Sequence, residues 1–185
     1  MELKLKRPLA FFDLETTGVM VSNDRIVEVS ILKVSPGGKE DTLTMKVNPE
    51  MPIPAESSMF HGIYDEDVKD APTFKNIAKN LASFLEGCDL AGFNSNRFDI
   101  PMLVEEFLRV GVDFEVKNRK FVDAQRIFHL MEPRNLTAAY KFYCGKTLVG
   151  AHGAEADTLA TFEVLQGQIA KYEGVKIEDA SGNEY

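Results

Sequence analysis

The chain has 185 residues, 44% apolar and 27% charged, with a formal net charge of −8 at pH 7. That length suits one compact α/β domain with a single buried core, and the composition argues against a disordered chain. The acidic balance argues against tight coating of long nucleic-acid duplexes, though not against a site whose positive charge comes from bound cations.

The N-terminus, MELKLKRPLAFFDLETTG, alternates apolar and charged residues and lacks the continuous apolar stretch of a secretory signal. No run approaches the ~20 apolar residues of a membrane span. The expected compartment is the cytoplasm, with Cys88 and Cys144 as reduced thiols in or near the core.

Residues 9–14 (LAFFDL) form an apolar run that predicts a buried strand. Residues 25–34 are β-rich, Pro36-Gly37-Gly38 supplies a turn, and residues 41–47 return, so these two strands are expected to form a hairpin. Residues 48–58 (NPEMPIPAESS) are Pro-rich and read as a loop. From Thr73 the period changes: Phe74, Ile77, Ala78, Leu81 and Leu85 fall at helical spacing, and Gly87 supplies a stop.

Residues 89–93 read as another buried strand. Pro101 opens a helix expected to turn Leu103, Phe107 and Leu108 inward. A short strand is expected at 120–122, then helices at 124–130 and 136–143. The last helix, 155–171, carries Leu159, Phe162, Gln166 and Ile169 along one stripe. This order predicts an α/β fold: a mixed β-sheet, antiparallel hairpin plus parallel strands, flanked by α-helices. Residues 1–173 are read as one domain and 174–185 as a short polar tail.

Three segments carry chemistry. In FFDLETTG, Asp13 and Glu15 project from one face of a strand, where two carboxylates repel each other and resist burial. A hard divalent cation with a preference for oxygen relieves both costs. Thr16, Thr17 and Gly18 then form a turn able to meet a terminal sugar or phosphate. In the second segment, residues 93–99, Asn94 lies in an Asn-rich loop, Phe98 is available to stack on a base, and Asp99 is placed to N-cap the next helix. In the third, His152 sits between Gly150 and Gly153, and Asp157 lies in the first turns of the last helix bordering its packed side. Taken singly, each has an ordinary structural explanation: a hydrated strand end, a helix cap, a first-turn acid favoured by the helix dipole.

Together the segments FFDLETTG and GFNSNRFDIPML and the His152-x4-Asp157 spacing resemble the three exonuclease motifs of the DEDDh (DnaQ-like) family. That family includes the proofreading epsilon-type subunits of bacterial replicative polymerases, RNase T and oligoribonuclease. The resemblance spans nearly the whole chain and implies a ribonuclease-H-like fold. It implies two divalent ions, Mg²⁺ with Mn²⁺ as a substitute, held by Asp13, Glu15, Asp99 and Asp157. Asp13 would bridge the ions, Glu15 and Asp157 would serve the one that activates water, and Asp99 would support the other. His152 would be the general base, since imidazole titrates near neutrality.

The implied reaction is 3′→5′ hydrolysis of a single-stranded or frayed DNA end of proofreading or repair type, releasing nucleoside 5′-monophosphates. His61-Gly62-Ile63 matches an H-G-I segment of epsilon-type members, which places His61 near substrate; Asp123, an acid after a strand, reads as structural. The alternatives are RNA trimming of the RNase T or oligoribonuclease type, and a catalytically silent module that binds a polymerase or nucleic acid. The chain stops soon after its last helix, so a stand-alone exonuclease, or a proofreader docked by its surface on a DNA polymerase, is expected rather than a complete replicative subunit.

Overall fold

The computed structural model describes residues 3–176 and residue 178. The chain forms two compact units, residues 1–127 and 128–185. The tail expected over 174–185 lies, apart from 174–176 and 178, outside the described residues.

The first unit is built on a five-stranded sheet ordered β3-β2-β1-β4-β5. Its strands are β1 (Leu9–Thr16), β2 (Ile26–Val34), β3 (Glu40–Lys46), β4 (Asp89–Gly92) and β5 (Phe121–Asp123). The first three pair antiparallel, as the turn at residues 36–38 predicts, and β4 lies parallel to both β1 and β5. The mixed α/β sheet expected from the element order is therefore the sheet observed. Alternation along β1 buries Ala10, Phe12 and Leu14 and leaves Phe11, Asp13 and Glu15 on the opposite face.

Helix α3 (Phe74–Phe84) covers the buried face with Phe74, Ile77, Ala78 and Leu81. Its N-terminus is closed by a capping box, in which Thr73 N–H donates to Asn76 Oδ1 at 3.0 Å. Helix α4 (Asp99–Arg109) adds Met102, Leu103 and Phe107. Phe107 meets Phe74 edge-on at 5.1 Å and stacks on Phe114 at 4.4 Å. Each such buried aromatic or leucine contributes about 2–3 kcal/mol by leaving water.

Three expectations need correction here. Residues 48–58 are not wholly loop: α1 (Ala55–His61) starts inside them, with Pro54 at its N-cap, and a four-residue α2 (Asp65–Val68) follows. Proline lacks an N–H that a helix start does not use, so a Pro-rich entry is compatible with a helix behind it. Leu108 points outward and is 67% exposed. The inward position one turn from Leu103 is taken instead by the charged Glu106, which is fully buried. Finally, Asp99 is the first helical residue of α4, and Phe98 holds the N-cap position.

Helix α5 (Ala124–Met131) carries the chain into the second unit, where α6 (Leu136–Cys144) packs on α7 (Ala154–Lys171). The packed side of α7, which Asp157 is expected to border, buries Ala160 and Val164, while Leu159, Phe162 and Ile169 of the neighbouring stripe are exposed. A Cβ on Gly167 would lie 3.0 Å from Tyr143. The face of small residues at 160, 164 and 167 therefore allows close helix approach, and size outweighs hydrophobicity in choosing it.

Candidate active site

In β1, Asp13 lies opposite Ser30 and Glu15 opposite Glu28 across β2, and the register slips between Glu15 and Thr16. That irregularity ends regular pairing and re-aims the chain into the turn at residues 16–18. The Glu15 carboxyl is raised above its ordinary range by burial, then by the negative charge of Asp13 and less by Glu28, with His61 opposing.

β4 pairs with β1 only as far as Phe11. Beyond that point the backbone N–H groups of Leu14 and of Asp99 itself favour the charged form of the Asp99 carboxyl. Asp99 is nevertheless pushed up to about 6, chiefly by burial and then by Asp13, against the pull of those two donors. Two carboxyls thus resist ionisation partly because Asp13 stands beside them.

Asp13, Glu15 and Asp99 line one cleft of about 840 Å³, together with Thr16, Gly18, His61, Asn94 and Phe98. Thr17 does not line it. That residue is buried, and its hydroxyl donates to Asp24 Oδ1 at 2.9 Å while accepting the Arg25 N–H at 3.0 Å. Thr16 also directs its hydroxyl inward, to the Gly18 carbonyl at 2.7 Å. Gly18 is required by close approach, since a Cβ there would lie 2.6 Å from the Asp24 carboxylate.

Helix α1 is pinned to the backbone of this motif. Ser57 Oγ donates to the Thr17 carbonyl at 2.7 Å, and His61 Nε2 lies 3.2 Å from the Thr16 carbonyl. His61 Nδ1 accepts the Ile63 N–H at 3.1 Å, which requires the proton on Nε2. Both ring nitrogens are engaged, so His61 shapes the cleft wall and has no lone pair free for a proton from substrate.

The opposite wall is the loop between β4 and α4. Asn94 adopts φ +62°, a left-handed conformation, and its N–H donates to Asp123 Oδ1 at 2.9 Å. Asn96 N–H reaches Asp123 Oδ2 at 3.2 Å, and the N–H groups of Gln125 and Arg126 also donate to this carboxylate. Burial alone would raise the Asp123 carboxyl, but these four donors hold it below its usual range.

His152 and Asp157 lie in the second unit. His152 is exposed and adopts φ +72° between its flanking glycines. Its backbone N–H reaches Asp157 Oδ1 at 3.3 Å, leaving the imidazole uncommitted to that contact. Asp157 is half-buried in the first turn of α7, above the buried Ala160.

Every candidate metal donor is a carboxylate oxygen, a set that fits Mg²⁺ or Mn²⁺ rather than a soft ion. Among the described residues no group of three or more His, Cys, Asp or Glu side chains is drawn together closely enough to hold a metal. Like-charged carboxyls repel each other, and the raised values of Glu15 and Asp99 fit a site that a cation would contract.

The Exonuclease family model (RNase_T) matches residues 10–165. The chain belongs to that family. This exonuclease domain is 28% identical over 181 residues to the PolC-type DNA polymerase III of Caldanaerobacter subterraneus, covering 97% of the chain and 13% of the polymerase. With the epsilon subunit of DNA polymerase III from Treponema pallidum it shares 29% identity over 173 residues, 87% of the chain and 76% of the subunit. Escherichia coli exonuclease I, in complex with an oligonucleotide, superimposes with a TM-score of 0.60 at 17% identity, over 89% of this chain and 41% of that one. The ribonuclease-H-like fold expected from the motifs is thereby shown, as is a DnaQ-like nuclease.

The cleft also contains residues that the motif reading missed. Phe60 and Phe93 line it beside Phe98, and Phe60 is 87% exposed; Arg97 supplies a cation among the acids. An aromatic residue outside any apolar period, such as Phe60 next to His61, was the available signal.

Proposed function

We propose that the protein is a metal-dependent 3′→5′ exonuclease that hydrolyses the terminal phosphodiester bond of a DNA strand and releases nucleoside 5′-monophosphates. The supporting observation is the cleft that gathers Asp13, Glu15 and Asp99 among exposed aromatic rings, with two of the carboxyls raised by burial and by their acidic neighbour.

Asp13, Glu15, Asp99 and, by motif, Asp157 would hold the cations. When bound, two Mg²⁺ ions, or Mn²⁺ in their place, would neutralise these carboxylates and would supply Lewis-acid charge for attack on a phosphodiester. His152 takes the proton from the attacking water, a role suited to an imidazole with no partner on its ring nitrogens among the hydrogen bonds of its own loop. Phe60, Phe93 and Phe98 offer flat apolar faces to unpaired bases, and Arg97 offers a cation to the backbone. His61 and Ser57 keep the cleft wall at a fixed distance from the Thr16-Thr17 backbone. The epsilon and PolC-type relatives support a 3′ end of DNA as substrate and a DNA polymerase as partner.

The test is incubation of 5′-labelled single-stranded DNA and RNA of matched sequence with Mg²⁺ or EDTA. A ladder that shortens from the 3′ end only with metal, faster on DNA, is expected. Faster shortening of RNA moves the assignment to RNA trimming, and no shortening with Mg²⁺ or Mn²⁺ moves it to a silent binding module.

A further inference from the structure

Glu106 is fully buried, and its Oε2 is one of two buried side-chain atoms without a hydrogen-bond partner among the described residues. Its Oε1 accepts from Arg25 Nε at 2.8 Å and from Arg109 Nη1 at 3.1 Å. A carboxylate in the core is costly, and a leucine would pack there without that cost. The network leads out of the core and into the loop behind the first motif. Arg109 donates through Nη1 to the Asp24 carbonyl at 2.7 Å and through Nη2 to the Val21 carbonyl at 2.6 Å. The Asp24 carboxylate in turn accepts the Thr17 hydroxyl and the Met20 N–H, and fills the space beside Gly18.

Helix α4 therefore borders at its start the cleft that holds Asp13 and Glu15, and is fastened near its end to the segment that follows them. At its start Asp99 faces that cleft, and near its end Arg109, itself held by Glu106, bonds the carbonyls of Val21 and Asp24. We propose that Glu106 is a positioning residue: through Arg109, Arg25 and Asp24 it fixes the spacing between Asp99 and the Asp13–Glu15 pair, and with it the affinity for the catalytic cations. The inference rests on the assignment of that cleft as the active site.

The experiment compares Glu106→Gln, Asp24→Asn and the double variant with wild type and Asp13→Ala, below each melting midpoint. Single-turnover rate, KM and Mg²⁺ affinity by titration calorimetry are read for each. Glu106→Gln is expected to slow the chemical step by about tenfold or more, because small displacements of reacting groups are expensive. KM for the oligonucleotide should stay within about twofold, while Mg²⁺ binds more weakly. Asp24→Asn should act on the same path, so the double variant should be little worse than the poorer single. Unchanged Mg²⁺ affinity and rate with only a lower melting midpoint would make Glu106 a core ion pair and nothing more, as would effects that multiply. If Glu106→Gln does not fold, Arg109→Lys, which keeps the charge but cannot span both carbonyls, takes its place under the same criteria. A wild type that binds Mg²⁺ yet cuts neither DNA nor RNA overturns the exonuclease assignment, and calorimetry on the variants still decides the positioning role.

Discussion

The two units treat their acidic residues in opposite ways. On α4, Asp99 is buried and is pushed up to about 6 by burial and by Asp13, against the pull of nearby backbone N–H groups. On α7, Asp157 is half-buried and accepts one long contact at 3.3 Å from a loop in which His152 is exposed and in a left-handed conformation. The first arrangement fixes charge in place at the expense of stability. The second costs little to keep and leaves its groups free to reorient. A nuclease site requires both kinds of group: rigid donors that set the cation positions and a base that can meet a water.

The sharpest way to break this comparison is to remove a fixed acid. Asp13→Ala should abolish turnover in a labelled-strand assay, and near-normal activity would sink the metal assignment. Removing the adjustable partner should cost less: His152→Ala is expected to slow the single-turnover step by roughly 100-fold, with the dissociation constant for the oligonucleotide unchanged. A large rise in that constant at an unchanged rate would make His152 a binding residue.

The pH dependence sharpens the contrast further. Asp99 has a raised carboxyl in the folded state, so the native protein binds more protons than the unfolded chain between about pH 4, the ordinary carboxylate range, and about 6. Stability from this group therefore falls as pH rises through that window and stays at its lower value above it. In EDTA, Asp99→Asn should remove that decline from the melting curves, and in the wild type Mg²⁺ should raise the melting midpoint more at pH 7 than at pH 5. A midpoint in EDTA that follows the same course from pH 4 to 6 in Asp99→Asn as in wild type, or a Mg²⁺ effect independent of pH, would remove the cleft's charge strain from the account. The smallest effect belongs to the outer face of α4. Leu108→Ala should change stability by no more than ~0.5 kcal/mol, against about 3 kcal/mol for Leu103→Ala, as measured by urea denaturation.

Much of this was legible in the sequence because local periodicity and motif spacing are local properties. The alternation of β1 announces that Asp13 and Glu15 share a face, and the apolar spacing after Thr73 announces α3. What was not legible depends on distant partners. Glu106 occupies an inward position because Arg25, 81 residues away in sequence, meets it there. Thr17 is withdrawn from the cleft by Asp24, and no pattern in FFDLETTG separates it from Thr16. On α7 a glycine opposite Tyr143 allows the close packing, and Leu159, Phe162 and Ile169 stay exposed although hydrophobicity alone favours their stripe.

Strand β3 sits at the outer edge of the sheet, and among the described residues no other strand pairs with its outer side. Such an edge can recruit another β-strand and seed aggregation. Here it carries Glu40, Asp41 and Lys46, with Thr42 and Thr44 exposed between them. A strand that tried to add to this sheet would have to strip water from those charges. The same edge that closes the fold on one side thus discourages self-association by strand addition.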